Sequence, residues 1–205
     1  MARTMVLVGT YTQPIRFGTG EVLNARGKGI YLYEFSEGRL APVSETPAVN
    51  ASFLILDSAG ERLYTTNELK EYQGQFGGAV SAYRLEKETG RLTYLNTAAT
   101  LGQDPCHVAL SPQGDMLFCA NFMSGSVAAF PVQEDGSLAE AACFIQHQGS
   151  GPDPKRQQVR HAHGVFLSPG GAWLYVPDLG TDTLVCYALS SADRALIPAP
   201  DRNIS

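Results

Sequence analysis

The residues best suited to chemistry are concentrated in one stretch, RQQVRHAHGVFLSPGGAWLYVPDLGTD, at positions 156–182 of the 205-residue chain. His161 and His163 lie two residues apart, so a regular strand would place both imidazoles on one face. A neutral imidazole near pH 7 can take a proton from water or return one to a leaving oxygen. We therefore consider this pair as catalytic acid–base groups. The alternative is that one or both are structural and tie neighbouring loops by hydrogen bonds.

The same stretch carries groups that could hold an anion or a metal. Arg156 and Arg160 flank a Gly- and Pro-rich loop and could grip a carboxylate or phosphate in bidentate fashion, although a solvated loop is the alternative. His-x-His is also half of a common metal site, which would need Asp178 or His107 as a third ligand. We favour an acid–base site and predict neither a metal nor another cofactor.

A repeat along the chain would position these groups. Three segments, FLILDSAGERLYTTN, HVALSPQGDMLFCAN and GVFLSPGGAWLYVPD, align on Gly60, Gly114 and Gly171, which are 54 and 57 residues apart. The repeats contain short runs rich in Val, Leu, Tyr, Phe and Thr, separated by turn residues, and they show no helical periodicity. Repeats of about 40 to 50 residues with four strands each are typical of β-propeller blades.

The sequence therefore predicts an all-β protein, a single β-propeller domain over 1–205 with four-stranded antiparallel blades. The predicted blades are about 4–48, 49–100, 101–146 and 160–200, with a long loop at 146–159. Innermost strands are predicted at 53–57, 105–111 and 162–168, and the next strands at 5–10, 62–67, 116–121 and 173–178. The first blade lacks its innermost strand, and closed propellers have about four to eight blades. We expect part of a longer chain, or a ring that a second copy completes.

Polar residues are predicted to gather at one mouth of the propeller, where innermost strands start and the next strands end. Three long insertions, at 13–28, 68–77 and 149–160, belong to that mouth, and loops on a rigid scaffold commonly carry function. The predicted catalytic residues are His161, His163 and Glu68, and the predicted substrate-binding residues are Arg156, Arg160, His107, Asn121, Asp178 and Asp182. Asn67, Asn121 and Asp178 share one position of the repeat, so turn capping is the alternative for these three.

Composition excludes several classes of protein. The net charge of −5 comes with no basic stripe, so nucleic acid is not an expected partner. No apolar run approaches the roughly 18 residues of a membrane helix, and the N-terminal apolar run is too short for a signal peptide. The four cysteines show no CxxC spacing and are expected to be reduced and buried. We expect a soluble, cytoplasmic protein without a membrane partner.

Several motifs together resemble a known family. GTYT, NASFLILDSAGERLYTTNE, PCHVALSPQGDMLFCANF, RQ followed by HAH, and DLGTD are similar to the seven-bladed propeller lactonases of the 6-phosphogluconolactonase type. That family in turn resembles the carboxy-muconate lactonising propeller enzymes. The resemblance covers essentially the whole chain. It implies that Arg156, His161, His163 and Asp178 fall on the family's polar motif. Asn67 and Glu68 fall on its TNE motif, whereas Arg160 replaces a proline or small residue.

The resemblance implies hydrolysis of 6-phospho-D-glucono-1,5-lactone to 6-phosphogluconate in the pentose phosphate pathway, with a phosphorylated sugar lactone as the small-molecule partner and no cofactor. Seven blades of about 50 residues need well over 300 residues, so about four of the seven are expected here. The alternatives are a non-catalytic binding propeller or inactive fragment, and a muconate-type cycloisomerase. The open edge of the propeller could also support self-association.

Overall fold

The computed structural model describes residues 4–17, 19–190 and 194–205. These residues form β-strands and one short 3-10 helix, Pro200–Arg202. The strands, in chain order, are β1 Thr4–Gly9, β2 Ile15–Arg16, β3 Val22–Leu23, β4 Gly29–Ser36, β5 Arg39–Pro47, β6 Leu54–Leu56, β7 Arg62–Asn67, β8 Glu71–Tyr72, β9 Gln75–Phe76, β10 Ala79–Glu86, β11 Arg91–Ala99, β12 Pro105–Leu110, β13 Met116–Asn121, β14 Ser126–Pro131, β15 Cys143–Gln146, β16 Phe166–Leu167, β17 Trp173–Asp178, β18 Thr183–Ser190 and β19 Ala195–Pro198.

The strands form four main antiparallel sheets that follow one another along the chain. The first has three strands in the order β1-β4-β5, and the others have four strands, ordered β6-β7-β10-β11, β12-β13-β14-β15 and β16-β17-β18-β19. Two small hairpins, β2-β3 and β8-β9, lie within the first two insertions. The prediction of an all-β propeller with four-stranded blades is confirmed, and the first sheet lacks an innermost strand, as predicted.

Apolar clusters between neighbouring sheets hold the blades together. Leu63 and Tyr83 belong to the cluster between the first two sheets, and Phe130 belongs to the cluster between the second and third. Every residue of β13 and β14 is buried, because a neighbouring blade covers each face of the third sheet. In β17 burial alternates, with Leu174 and Val176 inside, which is the pattern of a strand with one covered face.

The turn between the two inner strands is built the same way in each repeat. The aligned glycines Gly60, Gly114 and Gly171 have φ of +67°, +73° and +69°, a region that residues with a Cβ rarely adopt. Three residues earlier, a side-chain oxygen accepts hydrogen bonds from the start of the following strand. Ser111 Oγ accepts from the Met116 amide at 3.0 Å, and Asp57 and Ser168 do the same in their repeats. These turns set the register of the inner strands.

The innermost strand of the fourth sheet is shorter than predicted. A strand was expected over 162–168, whereas β16 contains only Phe166–Leu167 and Ala162 forms an isolated bridge with Asp178. The bridge and the strand differ in register by one residue, so the segment between them bulges. Pro177 contributes to this break because it has no N–H to continue the ladder. His161 and His163 therefore lie in a bulged segment before the strand, outside the regular part of the sheet.

Candidate active site

A cleft of about 560 Å³ opens at the mouth of the propeller. Side chains from all four blades line it: Tyr11, Arg16, Phe17, Thr19, Glu21, Ser52, Glu68, Asp104, Cys106, Phe122, Met123, Lys155, Arg156, Gln158, Val159, His161 and His163. Of the nine residues predicted for the site, the structure brings Glu68, Arg156, His161 and His163 together in this cleft.

Glu68 forms part of the buried side of the cleft. It follows directly on β7, its amide donates to the Asn50 carbonyl at 3.0 Å, and the residue is 9% exposed. The Tyr11 hydroxyl donates to Oε2 at 2.8 Å. Burial raises the pKa of Glu68, the negative charge of Asp104 raises it further, and hydrogen bonds from Ser52 and Tyr11 oppose this rise. A carboxyl group with a raised pKa is suited to transferring protons near neutral pH.

The two histidines of the HAH motif enclose Phe122. The His161 ring stacks on the Phe122 ring at 4.7 Å between centroids, and the His163 ring meets it edge-on at 4.8 Å. His161 Nδ1 lies 3.1 Å from the Phe122 carbonyl oxygen. Because a carbonyl can only accept, Nδ1 carries the proton in this contact, and in a neutral ring Nε2 is then the unprotonated nitrogen. His161 is therefore arranged to act as a base through Nε2.

The repeat extends further upstream than the sequence analysis recognised. Ser52, Cys106 and His163 all lie eight residues before the aligned glycine of their repeats, and all three line the cleft. In the third sheet the register shifts between Pro105 and His107, which places Cys106 at a bulge like the one at His163. Bulges of this kind re-aim a side chain out of the sheet. Extending the alignment upstream would have identified Ser52 and Cys106 as cleft residues.

Asp104 is a second carboxylate in the cleft that was not predicted from the sequence. The residue is 4% exposed and its φ is +52°, which is uncommon for a residue with a side chain. Lys70 Nζ binds Oδ2, whereas Oδ1 is buried without a hydrogen-bond partner among the described residues. Buried carboxylate oxygens are nearly always paired, so the unpaired Oδ1 makes Asp104 a candidate for a functional position.

Asp178, predicted to bind substrate, does not line the cleft. Both of its carboxylate oxygens are hydrogen-bonded to groups of the protein. Its Oδ2 lies 2.6 Å from His147 Nδ1, and Oδ1 accepts from the amides of His161, Gly180 and Thr181 at 2.6, 2.9 and 3.2 Å. Burial opposes its ionisation, but the hydrogen bonds from His147 and the His161 amide lower the pKa of Asp178 overall. His147 is 5% exposed, and no role was predicted for it from the sequence.

The other four predicted residues also lie outside the lining of the cleft. Asn121 is fully buried, and its amide nitrogen lies 3.4 Å from the Thr100 carbonyl and 3.1 Å from Ser126 Oγ. Arg160 donates from Nε to the Ser124 carbonyl at 3.2 Å. Asp182 is exposed in the turn before β18, with a φ of +55°.

His107 faces the channel side of the innermost strands. Its ring packs between Phe53 and Phe166, at centroid distances of 4.1 and 4.8 Å. Burial lowers the pKa of His107, and the nearby charge of His163 lowers it further. The ring is therefore neutral at pH 7, and Nδ1 lies 3.4 Å from the Val165 amide as an acceptor.

The electrostatics of the cleft differ between its rim and its interior. Arg16, Lys155 and Arg156 are exposed at the rim, while the carboxylates of Glu68 and Asp104 are buried inside. Cations in this arrangement would attract an anionic ligand towards the histidines. In the described ranges, no three His, Cys, Asp or Glu side chains are grouped as metal ligands. The ligand set considered from the sequence does not converge, since Asp178 and His107 are engaged elsewhere.

A bladed β-sheet scaffold with ionisable side chains gathered at one mouth defines the class of the chain as a β-propeller. Comparison with known proteins identifies its kind: residues 5–204 match the family described as lactonase, 7-bladed beta-propeller, and the chain belongs to this family.

The chain is also similar to individual proteins that are named as lactonases. The chain is 33% identical over 192 residues to the 6-phosphogluconolactonase of Bacillus subtilis, covering 92% of this chain and 50% of that protein. It superimposes with a TM-score of 0.86 on a Bacteroides fragilis protein provisionally named a 6-phosphogluconolactonase, at 33% identity, covering 99% of this chain and 55% of that one. The periplasmic gluconolactonase of Pseudomonas aeruginosa gives a TM-score of 0.78 at 33% identity, covering 97% of this chain and 55% of that one.

The chain therefore spans about half the length of the relatives it matches. No helix in the described part of the chain is long and apolar enough to cross a membrane.

Proposed function

We propose that this propeller hydrolyses a phosphorylated sugar lactone, 6-phospho-D-glucono-1,5-lactone, to the open-chain acid. The observation that carries the proposal is the cleft itself, where a base (His161), a buried carboxyl group (Glu68) and a cationic rim meet. The names of the related proteins support the choice of substrate. The reaction consumes water and needs no redox group, in keeping with the acid–base side chains of the cleft.

His161 is the general base in this proposal. Nε2 removes a proton from water as the water oxygen attacks the lactone carbonyl carbon, and a tetrahedral oxyanion forms. His163, beside His161, stabilises the negative charge of the oxyanion, which is largest at this stage. When the intermediate collapses, the carbon–oxygen bond of the ring breaks and the leaving oxygen takes a proton from the His161 imidazolium or from protonated Glu68.

The rim and the interior of the cleft orient the substrate in different ways. A phosphate group is an anion that guanidinium groups bind in bidentate fashion, and Arg156 with Arg16 and Lys155 provides such cations. Glu68 and Asp104 line the interior of the cleft, and carboxylate oxygens accept hydrogen bonds from sugar hydroxyls. In this orientation the lactone ring lies beside the histidines and the phosphate stays near solvent.

The experiment compares hydrolysis of freshly generated 6-phosphogluconolactone with its spontaneous rate, with and without chelator, by this chain and by a complete propeller that contains it. His161→Ala and His163→Ala are expected to lower turnover by about 10²- to 10⁴-fold, the usual contribution of acid–base catalysis. Circular dichroism and the unfolding temperature check that both variants remain folded. Unchanged turnover in both variants would rule out the proposed mechanism.

A second candidate function is binding without turnover. It is considered because the match covers only 50% of the length of the Bacillus subtilis relative. Isothermal titration with 6-phosphogluconate tests it directly. Binding by a chain that lacks turnover, together with turnover by the complete propeller, would assign the cleft to substrate capture and the remaining blades to completion of catalysis.

We also propose that the protein works in a reducing compartment such as the cytoplasm. Support comes from the four cysteines, all of which are free thiols, with Cys119 and Cys186 buried in the blades. The periplasmic location of the Pseudomonas aeruginosa relative shows that the fold also serves outside the cytoplasm. Fractionation of cells expressing the tagged protein tests the compartment.

A further inference from the structure

A buried chain of three side chains lies directly beneath the catalytic cleft. Tyr187 Oη is 2.8 Å from His147 Nε2, and His147 Nδ1 is 2.6 Å from Asp178 Oδ2. The His147 and Asp178 side chains are 3% and 0% exposed. None of the three lines the cleft, so this chain of hydrogen bonds cannot act by touching a substrate there.

The repeat shows what the position of Asp178 does elsewhere in the molecule. In the second and third sheets it holds Asn67 and Asn121, whose amide nitrogens donate to the carbonyls of Val49 and Thr100. Both carbonyls lie just after the outermost strand of the preceding sheet, as His147 does in the fourth repeat. Asn67, Asn121 and Asp178 therefore link neighbouring blades, and we call these three links ties. In the tie of the fourth blade, a carboxylate and an imidazole replace the amide and the carbonyl.

The replacement of asparagine by aspartate changes which hydrogen bonds the side-chain Oδ1 accepts. Asn121 Oδ1 has no partner among the described residues, whereas Asp178 Oδ1 accepts three backbone amides, and one of them is that of His161. An ionised oxygen accepts such bonds about twice as strongly as a neutral amide oxygen. The bridge between Ala162 and Asp178 and the bond from the Leu179 amide to the His161 carbonyl fix the same segment from the backbone side.

We propose that Asp178 is a positioning residue for His161, and that His147, held by Tyr187, fixes the orientation of the Asp178 carboxylate. The HAH segment has little strand structure of its own, because β16 begins only at Phe166. The placement of this segment therefore depends on hydrogen bonds to residues outside it. The Asp178 carboxylate accepts the hydrogen bond from the amide of His161, the proposed base. The proposal rests on the proposed function in assigning His161 as the base.

Two readouts test the proposal, one of them independent of catalysis. The imidazole signals of His161 in ¹H–¹⁵N spectra report its environment without substrate. Asp178→Ala is expected to shift these signals and to lower kcat for the lactone by roughly 10- to 100-fold with little change in KM, as expected when a catalytic group is misplaced by about 1 Å. His147→Ala is expected to have the same effect in weaker form.

Two further variants separate positioning from stability. His147→Asn keeps an N–H donor where Nδ1 stands, so it is expected to restore the His161 signals and most of kcat relative to His147→Ala. Ser81→Ala is the matched control, because Ser81 Oγ binds Asn67 Oδ1 at 2.6 Å in the second-sheet tie, away from the histidines. It is expected to lower the unfolding temperature without moving the His161 signals or kcat.

The outcomes distinguish this proposal from the proposed function. If Asp178→Ala lowers only the unfolding temperature, as Ser81→Ala does, and leaves the His161 signals in place, the positioning role is wrong. If the signals shift in the expected pattern while the unmodified complete propeller does not hydrolyse the lactone, the positioning role stands and the proposed function fails.

Discussion

Gly180 offers a sharp test of how the DLGTD turn supports the candidate base. A Cβ on Gly180 would lie 1.8 Å from the Val159 carbonyl oxygen, 2.6 Å from its carbon and 2.7 Å from the Arg160 carbonyl carbon. All three are backbone atoms, so no side chain can rotate away. Since a Cβ needs at least 3.0 Å, the Val159 carbonyl must move by more than 1 Å, and it lies two residues before His161.

Gly180→Ala is therefore expected to destabilise the fold at the upper end of the usual overpacking range, about 3 kcal/mol. For a chain of this size each kcal/mol lowers the unfolding temperature by about 2–4 °C, so a decrease of about 6–12 °C is expected. Differential scanning calorimetry and urea unfolding provide the measurement.

The matched control is Gly170→Ala, because a Cβ at Gly170 would meet no atom within 4 Å. Its stability is expected to stay within about 0.5 kcal/mol of the unmodified chain. If the two variants unfold alike, the close approach between the DLGTD turn and the segment before His161 is not as described.

Three further predictions concern ionisable groups. Tyr11→Phe removes a hydrogen bond that favours the ionised form of Glu68, so the pKa of Glu68 should rise and the alkaline limb of the pH–rate profile, where protonated Glu68 is lost, should move to higher pH. An unmoved limb would separate Glu68 from catalysis. Burial and the charges of Glu68 and Asp104 raise the pKa of Cys106 to about 12, so mass spectrometry should find it unalkylated by iodoacetamide at pH 8 in the folded protein and alkylated in urea. The lowered pKa of Asp178 stabilises the fold above the pKa of the unfolded chain, about 3.9, and this contribution is lost as pH falls through the folded value. Asp178→Asn should therefore weaken the pH dependence of urea unfolding below pH 5, and an unchanged dependence would contradict this assignment.

The blade architecture could be predicted from sequence because its determinants are local and repeated. The second strands predicted at 62–67, 116–121 and 173–178 have the same bounds in the structure, and the aligned glycines adopt the left-handed conformation that their position in the turn requires. Alternating apolar residues and turn glycines determine the structure of the few residues around them. Four copies of the pattern make each copy easier to recognise.

The innermost strand of the fourth blade was predicted wrongly because the reasons for its shortening are partly non-local. Pro177 is visible in the sequence, but its effect depends on which residue pairs with it across the ladder. The register difference between Ala162 and Phe166 is a property of the folded pair of strands. Hydrophobic patterning predicts where a strand can lie, and it does not locate a bulge within the strand.

The candidate site was predicted only in part, because contacts between residues distant in the sequence also determine it. Asp104 and Cys106 occupy the repeat positions of His161 and His163, but both positions lie upstream of the aligned segments, which begin at 107 and 164. His147 carries no such signal, because it lies outside the repeated segments and meets Asp178 across 31 residues of chain. The packing of the blades decides which buried polar residues come into contact.

The repeat position that holds Asn67, Asn121 and Asp178 differs between the blades. The second and third blades hold an asparagine here whose amide nitrogen donates to a carbonyl of the preceding blade, whereas the fourth holds Asp178, which also accepts the amide of His161. A neutral amide suffices to link two sheets, but a segment without regular strand pairing needs stronger acceptors to remain fixed. The blade carrying the proposed base is therefore the blade in which the tie is ionised. This coincidence is expected if the repeat was modified in that blade for catalysis.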